Sequence, residues 1–120
     1  MDTKTVILFI AHGSRRQAAN QEIIEIAKAL AEQSNHKVIA CFLEIAQPDI
    51  PNALEDAAQK ETRVIKILPY FLTEGRHVKE DIPRIISEKL ATLNYSGKIE
   101  WIDYFGSHDQ VKKLLSQLIQ

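Results

Sequence analysis

The sequence predicts an α/β fold for residues 1–120, read as one domain: a four-stranded parallel sheet in the flavodoxin-like order 2-1-3-4 with helices on both faces. Two observations lead there. Short, β-branched-rich apolar runs alternate with longer stretches whose apolar residues recur at helical spacing, and that alternation implies parallel strands joined by right-handed crossovers. A length of 120 residues also suffices for one sizeable core and falls short of two. No linker, low-complexity tract or internal repeat interrupts the pattern.

Residues 5–11 form an unbroken apolar run that stops at His12-Gly13-Ser14, as a strand buried on both faces and ending in a turn should read. Over residues 18–33, Ile23, Ile26, Ala27 and Leu30 share one helical face while Glu22, Glu25, Lys28 and Glu32 turn elsewhere. Residues 37–45 repeat the strand signature. Gln47-Pro48-Asp49 then opens a second helix that should end near Lys60, with Asp49 suited to cap its free N–H groups. The third strand, residues 63–68, is halted by Pro69, which has no N–H for the ladder, and residues 70–76 follow as a loop. Ile82, Ile86, Leu90 and Leu93 mark a third helix over residues 78–93, where Pro83 is tolerable only in the first turn. Residues 99–104 read as an edge strand, and Val111, Leu114, Leu115 and Leu118 mark a last helix.

Acidic and basic residues nearly cancel, leaving a net charge of -1, so a generic nucleic-acid binder is not expected. The most apolar run is far shorter than the roughly 20 residues of a spanning helix, and Asp2 with Lys4 makes a poor signal peptide. A cytoplasmic protein with no membrane partner is expected. The single cysteine, Cys41, has apolar neighbours and reads as a buried thiol, which excludes a disulfide framework or a cysteine-rich zinc site.

Ligands of such sheets bind beyond the carboxyl ends of the strands, near the point where strand order reverses. The loops after strands one and three carry His12 and His77, which neighbouring strands would bring to one cleft. Two neutral imidazoles suit a borderline divalent metal and are also bases that titrate near neutrality. On spacing alone a capping or turn role for either histidine stays open.

Three segments carry a more specific signal: Ala11-His12-Gly13-Ser14-Arg15, the run from Phe42 through Glu44 to Pro48, and Pro69-Tyr70-Phe71-Leu72 leading into Gly75-Arg76-His77-Val78-Lys79-Glu80-Asp81-Ile82-Pro83. Collinear over roughly residues 5–90, they resemble the signatures of the CbiX-type sirohydrochlorin chelatases, of the class II chelatase family. The resemblance implies insertion of Co²⁺, Fe²⁺ or Ni²⁺ into a sirohydrochlorin-type tetrapyrrole without ATP, with the metal as substrate and no permanently bound cofactor. It also implies that the chain equals one lobe of the two-lobed enzymes and works as a homodimer with the cleft between subunits.

By the family pattern His12 and His77 are the metal-binding and proton-accepting pair, and Glu44 is a third candidate as ligand or proton relay. Two pyrrole protons must leave as the ion enters, which calls for bases of near-neutral pKa beside it. The tetrapyrrole's carboxylate arms suit Arg15, Arg16, Arg76 and Lys79 at the mouth, with Ser14 and the N–H groups opening helix one as further anion contacts. Tyr70 and Phe71 would floor the macrocycle, although burial against a helix is the commoner fate of such rings. His36 and His108 carry less weight, and the C-terminal segment around His108 departs from the family pattern.

Three competing readings are weaker. Histidine phosphatases also place a His-Gly pair after the first strand, but expect an arginine before it, where this chain has Ala11. A nucleotide-binding module would need a glycine fingerprint the chain lacks. A non-enzymatic divalent metal carrier would use the same histidines without a cavity for a flat ligand.

Overall fold

The computed structural model describes the backbone from Asp2 to Gln120 and the side chains from Lys4 onward. Strands β1 (Asp2–Ala11), β2 (His36–Phe42), β3 (Val64–Pro69) and β4 (Lys98–Trp101) form one sheet in the order β2-β1-β3-β4, and every pair is parallel. Helices α1 (Gln17–Ser34), α2 (Ile50–Ala57), α3 (Ile82–Leu90) and α4 (Asp109–Leu118) follow the strands in turn. The expected fold class and strand order are those observed.

The pleat sorts the core. Val6, Leu8 and Ile10 of β1, with Ile65 and Ile67 of β3, face α2 and α3 and pack on Ile50, Leu54, Ile82 and Ile86. Phe9 and Ala40 face the other way, toward Ala27, Ile23 and Leu30 of α1. The central strand is therefore buried on both sides, as its unbroken apolar run requires. Cys41 lies in the α2/α3 core, where burial, with the Asp49 carboxylate adding to it, pushes its thiol far above the ordinary range.

Several boundaries differ from the sequence expectation. β2 stops at Phe42 rather than residue 45, because Phe42 N–H turns to the Pro48 carbonyl and Ile45 has a φ of 73° that no strand can hold. Asp49 does cap α2, accepting from Asn52 N–H at 3.0 Å, but the helix ends at Ala57 rather than near Lys60. β3 retains Pro69 as its last residue. α3 begins later than expected: His77–Asp81 is a π-helical turn, closed by Ile82 N–H on the His77 carbonyl. In a regular helix the Pro83 ring would crowd the carbonyl at Lys79, and a wider turn just before it relieves that contact.

α4 behaves unlike the other helices. Its main contact is the single 3₁₀ turn Phe105–Ser107 before it, and Leu114, Leu115 and Leu118 are 50, 57 and 70% exposed. Helices on both faces are thus α1 on one side and α2 with α3 on the other, while α4 leaves its apolar side uncovered.

Candidate metal centre at the strand ends

The site is built on the ends of the three strands that share the longest registers. Beyond the last paired residues of β1 and β2, Leu43 N–H donates to the Ala11 carbonyl at 2.9 Å and Glu44 N–H to the His12 carbonyl at 3.1 Å. The two loops leave the sheet side by side. Gly13, at φ 101°, lets them do so, since a side chain there would run into the Glu44 carbonyl. On the other flank, Tyr70 N–H donates to the Ile10 carbonyl at 2.7 Å, which aligns the start of the loop that returns to His77.

These constraints bring His12, Glu44 and His77 together, with ligand-capable atoms all within 4.8 Å of one another. His12 Nε2 donates to Glu44 Oε1 at 2.8 Å, and the two imidazole rings are 5.1 Å apart at a 38° tilt. About half of each side chain remains open to solvent. Two imidazoles and one carboxylate with open positions form a donor set suited to a borderline divalent ion. Ile45, directly after Glu44, holds a left-handed conformation that costs a β-branched residue about 1–3 kcal/mol.

The other expected contacts are spread around this cluster. Ser14 shapes its own loop: its N–H donates to Asn20 Oδ1 at 2.9 Å, its carbonyl accepts from Asn20 Nδ2 at 2.7 Å, and its Oγ accepts from Arg16 N–H at 3.0 Å. Asn20, buried and missed by sequence reasoning, is what ties this loop to α1; no pattern along the chain singles it out. Arg15 lines a cavity of about 540 Å³ beside the cluster, together with Gln17, Gln21 and Gln47. Arg16 is the uncapped entry residue of α1 and is exposed. Arg76 is exposed and pairs with Glu80 at 3.5 Å, and Lys79 is exposed on the π-turn.

Tyr70 and Phe71 take opposite sides of the sheet. Tyr70 sits between Phe9 and Phe105, at ring distances of 4.8 and 5.1 Å, and Phe71 packs on the α2/α3 core. His36 opens β2, half-buried, and His108 Nε2 donates to the Asp103 carbonyl at 2.8 Å. Neither belongs to the cluster. A second residue the sequence reading passed over is Asp81, whose Oδ2 accepts from His77 Nδ1 at 2.7 Å. That hydrogen bond, with Arg84 beside it, holds the Asp81 carboxyl below the usual carboxylate range. The signal was present as a carboxylate four residues after a histidine.

The family model described as CbiX matches residues 6–120. The chain belongs to the CbiX family. Among curated relatives, it is 34% identical over 83 residues to a sirohydrochlorin cobaltochelatase of Methanothermobacter thermautotrophicus, covering 69% of this chain and 58% of that protein. It is 30% identical over 92 residues to the chloroplastic sirohydrochlorin ferrochelatase of Arabidopsis thaliana, covering 76% and 40% respectively. A sirohydrochlorin cobaltochelatase of Methanosarcina barkeri matches end to end, 30% identical over 100% of this chain and 98% of its own length. This CbiX chain thus spans about half the length of the first two relatives and nearly all of the third. Among solved structures, the sirohydrochlorin chelatase SirB of Bacillus subtilis subspecies spizizenii in complex with cobalt superimposes with a TM-score of 0.83 at 26% identity, over 95% of this chain and 49% of SirB.

Proposed function

We propose that this protein inserts a divalent metal ion, Co²⁺, Fe²⁺ or Ni²⁺, into a sirohydrochlorin-type tetrapyrrole without ATP. The observation that carries the reading is the convergence of His12, Glu44 and His77 at the strand ends of a CbiX-family chain. Relatives named cobaltochelatase and ferrochelatase support both metals, and because raw affinity favours the later metals at any such site, the choice among them rests on ligand geometry and metal supply.

In this reading His12 and His77 hold the incoming ion on one side of the macrocycle. As it enters, two metal–nitrogen bonds replace two pyrrole N–H bonds and both protons leave to nearby bases. Glu44 accepts one through its hydrogen bond with His12 and passes it to solvent, which its half-open position allows. Ser14, Arg15, Arg16, Arg76 and Lys79 meet the carboxylate arms at the rim, whereas Tyr70 and Phe71, packed on opposite sides of the sheet, do not form a single floor for the macrocycle.

We further propose that two copies of the chain face each other across the tetrapyrrole, in the cytoplasm. One chain supplies a cluster open on one side and covers only 49% of SirB, so a second copy would complete an enclosure of that size. The uncovered apolar row on α4 is the surface such a copy would bury.

The test is anaerobic insertion into sirohydrochlorin followed by absorbance with each metal, for the wild type, His12→Ala and His77→Ala. Catalysed insertion lost in both variants supports the reading. Metal binding with no rate above the protein-free control would leave a metal carrier in its place.

A further inference from the structure

Each imidazole of the cluster has a carboxylate partner, and the two partnerships differ in kind. Glu44, the partner of His12, is itself a member of the cluster, whereas Asp81, the partner of His77, stands outside it. Asp81 is also held from behind. Its Oδ1 lies 3.6 Å from Arg84 Nη2, and Arg84 Nη1 lies 3.7 Å from Glu88 Oε1, so a row of alternating charge runs down α3 from the carboxylate. The Asp81 side chain is 25% exposed against 47% for His77. The π-turn carries these two residues at its two ends, so the turn that presents His77 to the cluster also brings Asp81 to its ring.

We propose that Asp81 is a positioning residue for His77, fixing the tautomer and rotation of the ring so that the Nε2 lone pair is the one offered to the metal or to a pyrrole proton. An ionised carboxylate can only accept, so the nitrogen facing it must carry the hydrogen; a neutral imidazole has one, which leaves Nε2 bare. An aspartate carboxyl of ordinary pKa is ionised throughout the neutral range, so the acceptor facing Nδ1 is charged. A ring anchored in this way also loses less rotational freedom when an ion arrives, and the added electron density makes Nε2 a better ligand. Arg84 in turn restrains the carboxylate that restrains the histidine. The inference rests on the metal-site reading above, because it assigns a direction to one of that site's ligands.

The closing experiment separates the two. Two-bond ¹H–¹⁵N spectra of the histidine-labelled full chain, metal-free at about pH 8 where imidazoles are neutral, report the tautomer directly, with His77 assigned by comparison with His77→Gln. The wild type should show His77 as the Nδ1–H form, and Asp81→Ala should move it toward the Nε2–H form that free histidine favours. Asp81→Asn, which keeps the shape of the side chain, guards against loss of fold and should move it in the same direction by less. In a parallel Co²⁺ titration, Asp81→Ala should weaken binding about 10- to 100-fold, and Asp81→Glu should restore part of it. An unchanged His77 tautomer in Asp81→Ala and Asp81→Asn would overturn the proposal. Failure of the wild type to bind Co²⁺ would instead strike the metal-site reading, with the spectra still deciding the role of Asp81.

Discussion

A β-carbon on Gly13 would stand 1.9 Å from the carbonyl oxygen of Glu44, so the close approach of these two loops exists only with glycine at that position. The same approach places His12 and Glu44 within hydrogen-bond distance. Gly13→Ala must both adopt a φ of 101° and push the Glu44 loop away. A loss of at least about 2 kcal/mol is expected in urea unfolding, together with weaker metal binding. An unfolding midpoint equal to that of the wild type would show that the loops separate at no cost.

The bases of the cluster should be unequal in their effect on turnover. His12→Ala and His77→Ala should each lower the insertion rate by about 10²- to 10⁴-fold, the usual loss when a positioned base is removed. Glu44→Gln keeps the size of the side chain and cannot take up a proton, so it should lower kcat while leaving Co²⁺ binding near that of the wild type. Loss of Co²⁺ binding in Glu44→Gln would make Glu44 a ligand in place of a relay.

Acid should expose the Asp81 interaction. Its folded carboxyl titrates below the unfolded value, so the stabilisation is present above about pH 4 and is lost as pH falls through the folded value. Asp81→Asn should therefore be less stable than the wild type at neutral pH, with the two converging as pH falls below the unfolded value and through the folded one, to be followed by thermal melts at decreasing pH. Parallel curves with no convergence would detach the shift from stability.

Alkali should act on Cys41 in the opposite sense. Burial raises its folded thiol, so stability is fully present below about pH 8.5, where the thiol is protonated folded or unfolded, and declines as pH rises beyond it and the unfolded thiol ionises. Cys41→Ala should lack this alkaline slope. In the native wild type, a thiol reagent should label Cys41 only at the rate of unfolding, and immediate labelling would contradict its burial.

The apolar side of α4 should decide association. With Leu115 and Leu118 exposed in one chain, Leu115→Lys and Leu118→Lys together should shift the protein from dimer to monomer in size-exclusion chromatography with light scattering, leaving the β1–β3 core untouched. An unchanged dimer mass would move the interface elsewhere, and a monomeric wild type would remove the need for one.

Much of this arrangement was legible along the chain. The unbroken run of β1 and the period of Ile82 and Ile86 name a strand and a helix because they are patterns among near neighbours, set by which side chains point the same way. His12, Glu44 and His77 could be singled out from strand ends and family-like segments, once the order β2-β1-β3-β4 was expected. The period of α4 was equally clear, yet periodicity says only that a face is apolar and not whether anything covers it.

By itself, then, the sequence determined the order and type of the elements, the residues of the core, and the candidate ligands. Tertiary structure alone decided that β2 ends at Phe42, that the turn at His77–Asp81 is wide, that Asp81 rather than a more distant group engages His77, and that α4 stands off the sheet. The first set follows from local steric and solvation preferences summed over a few residues. The second depends on where backbones from different strands can approach, and that distance is set by the packed sheet as a whole.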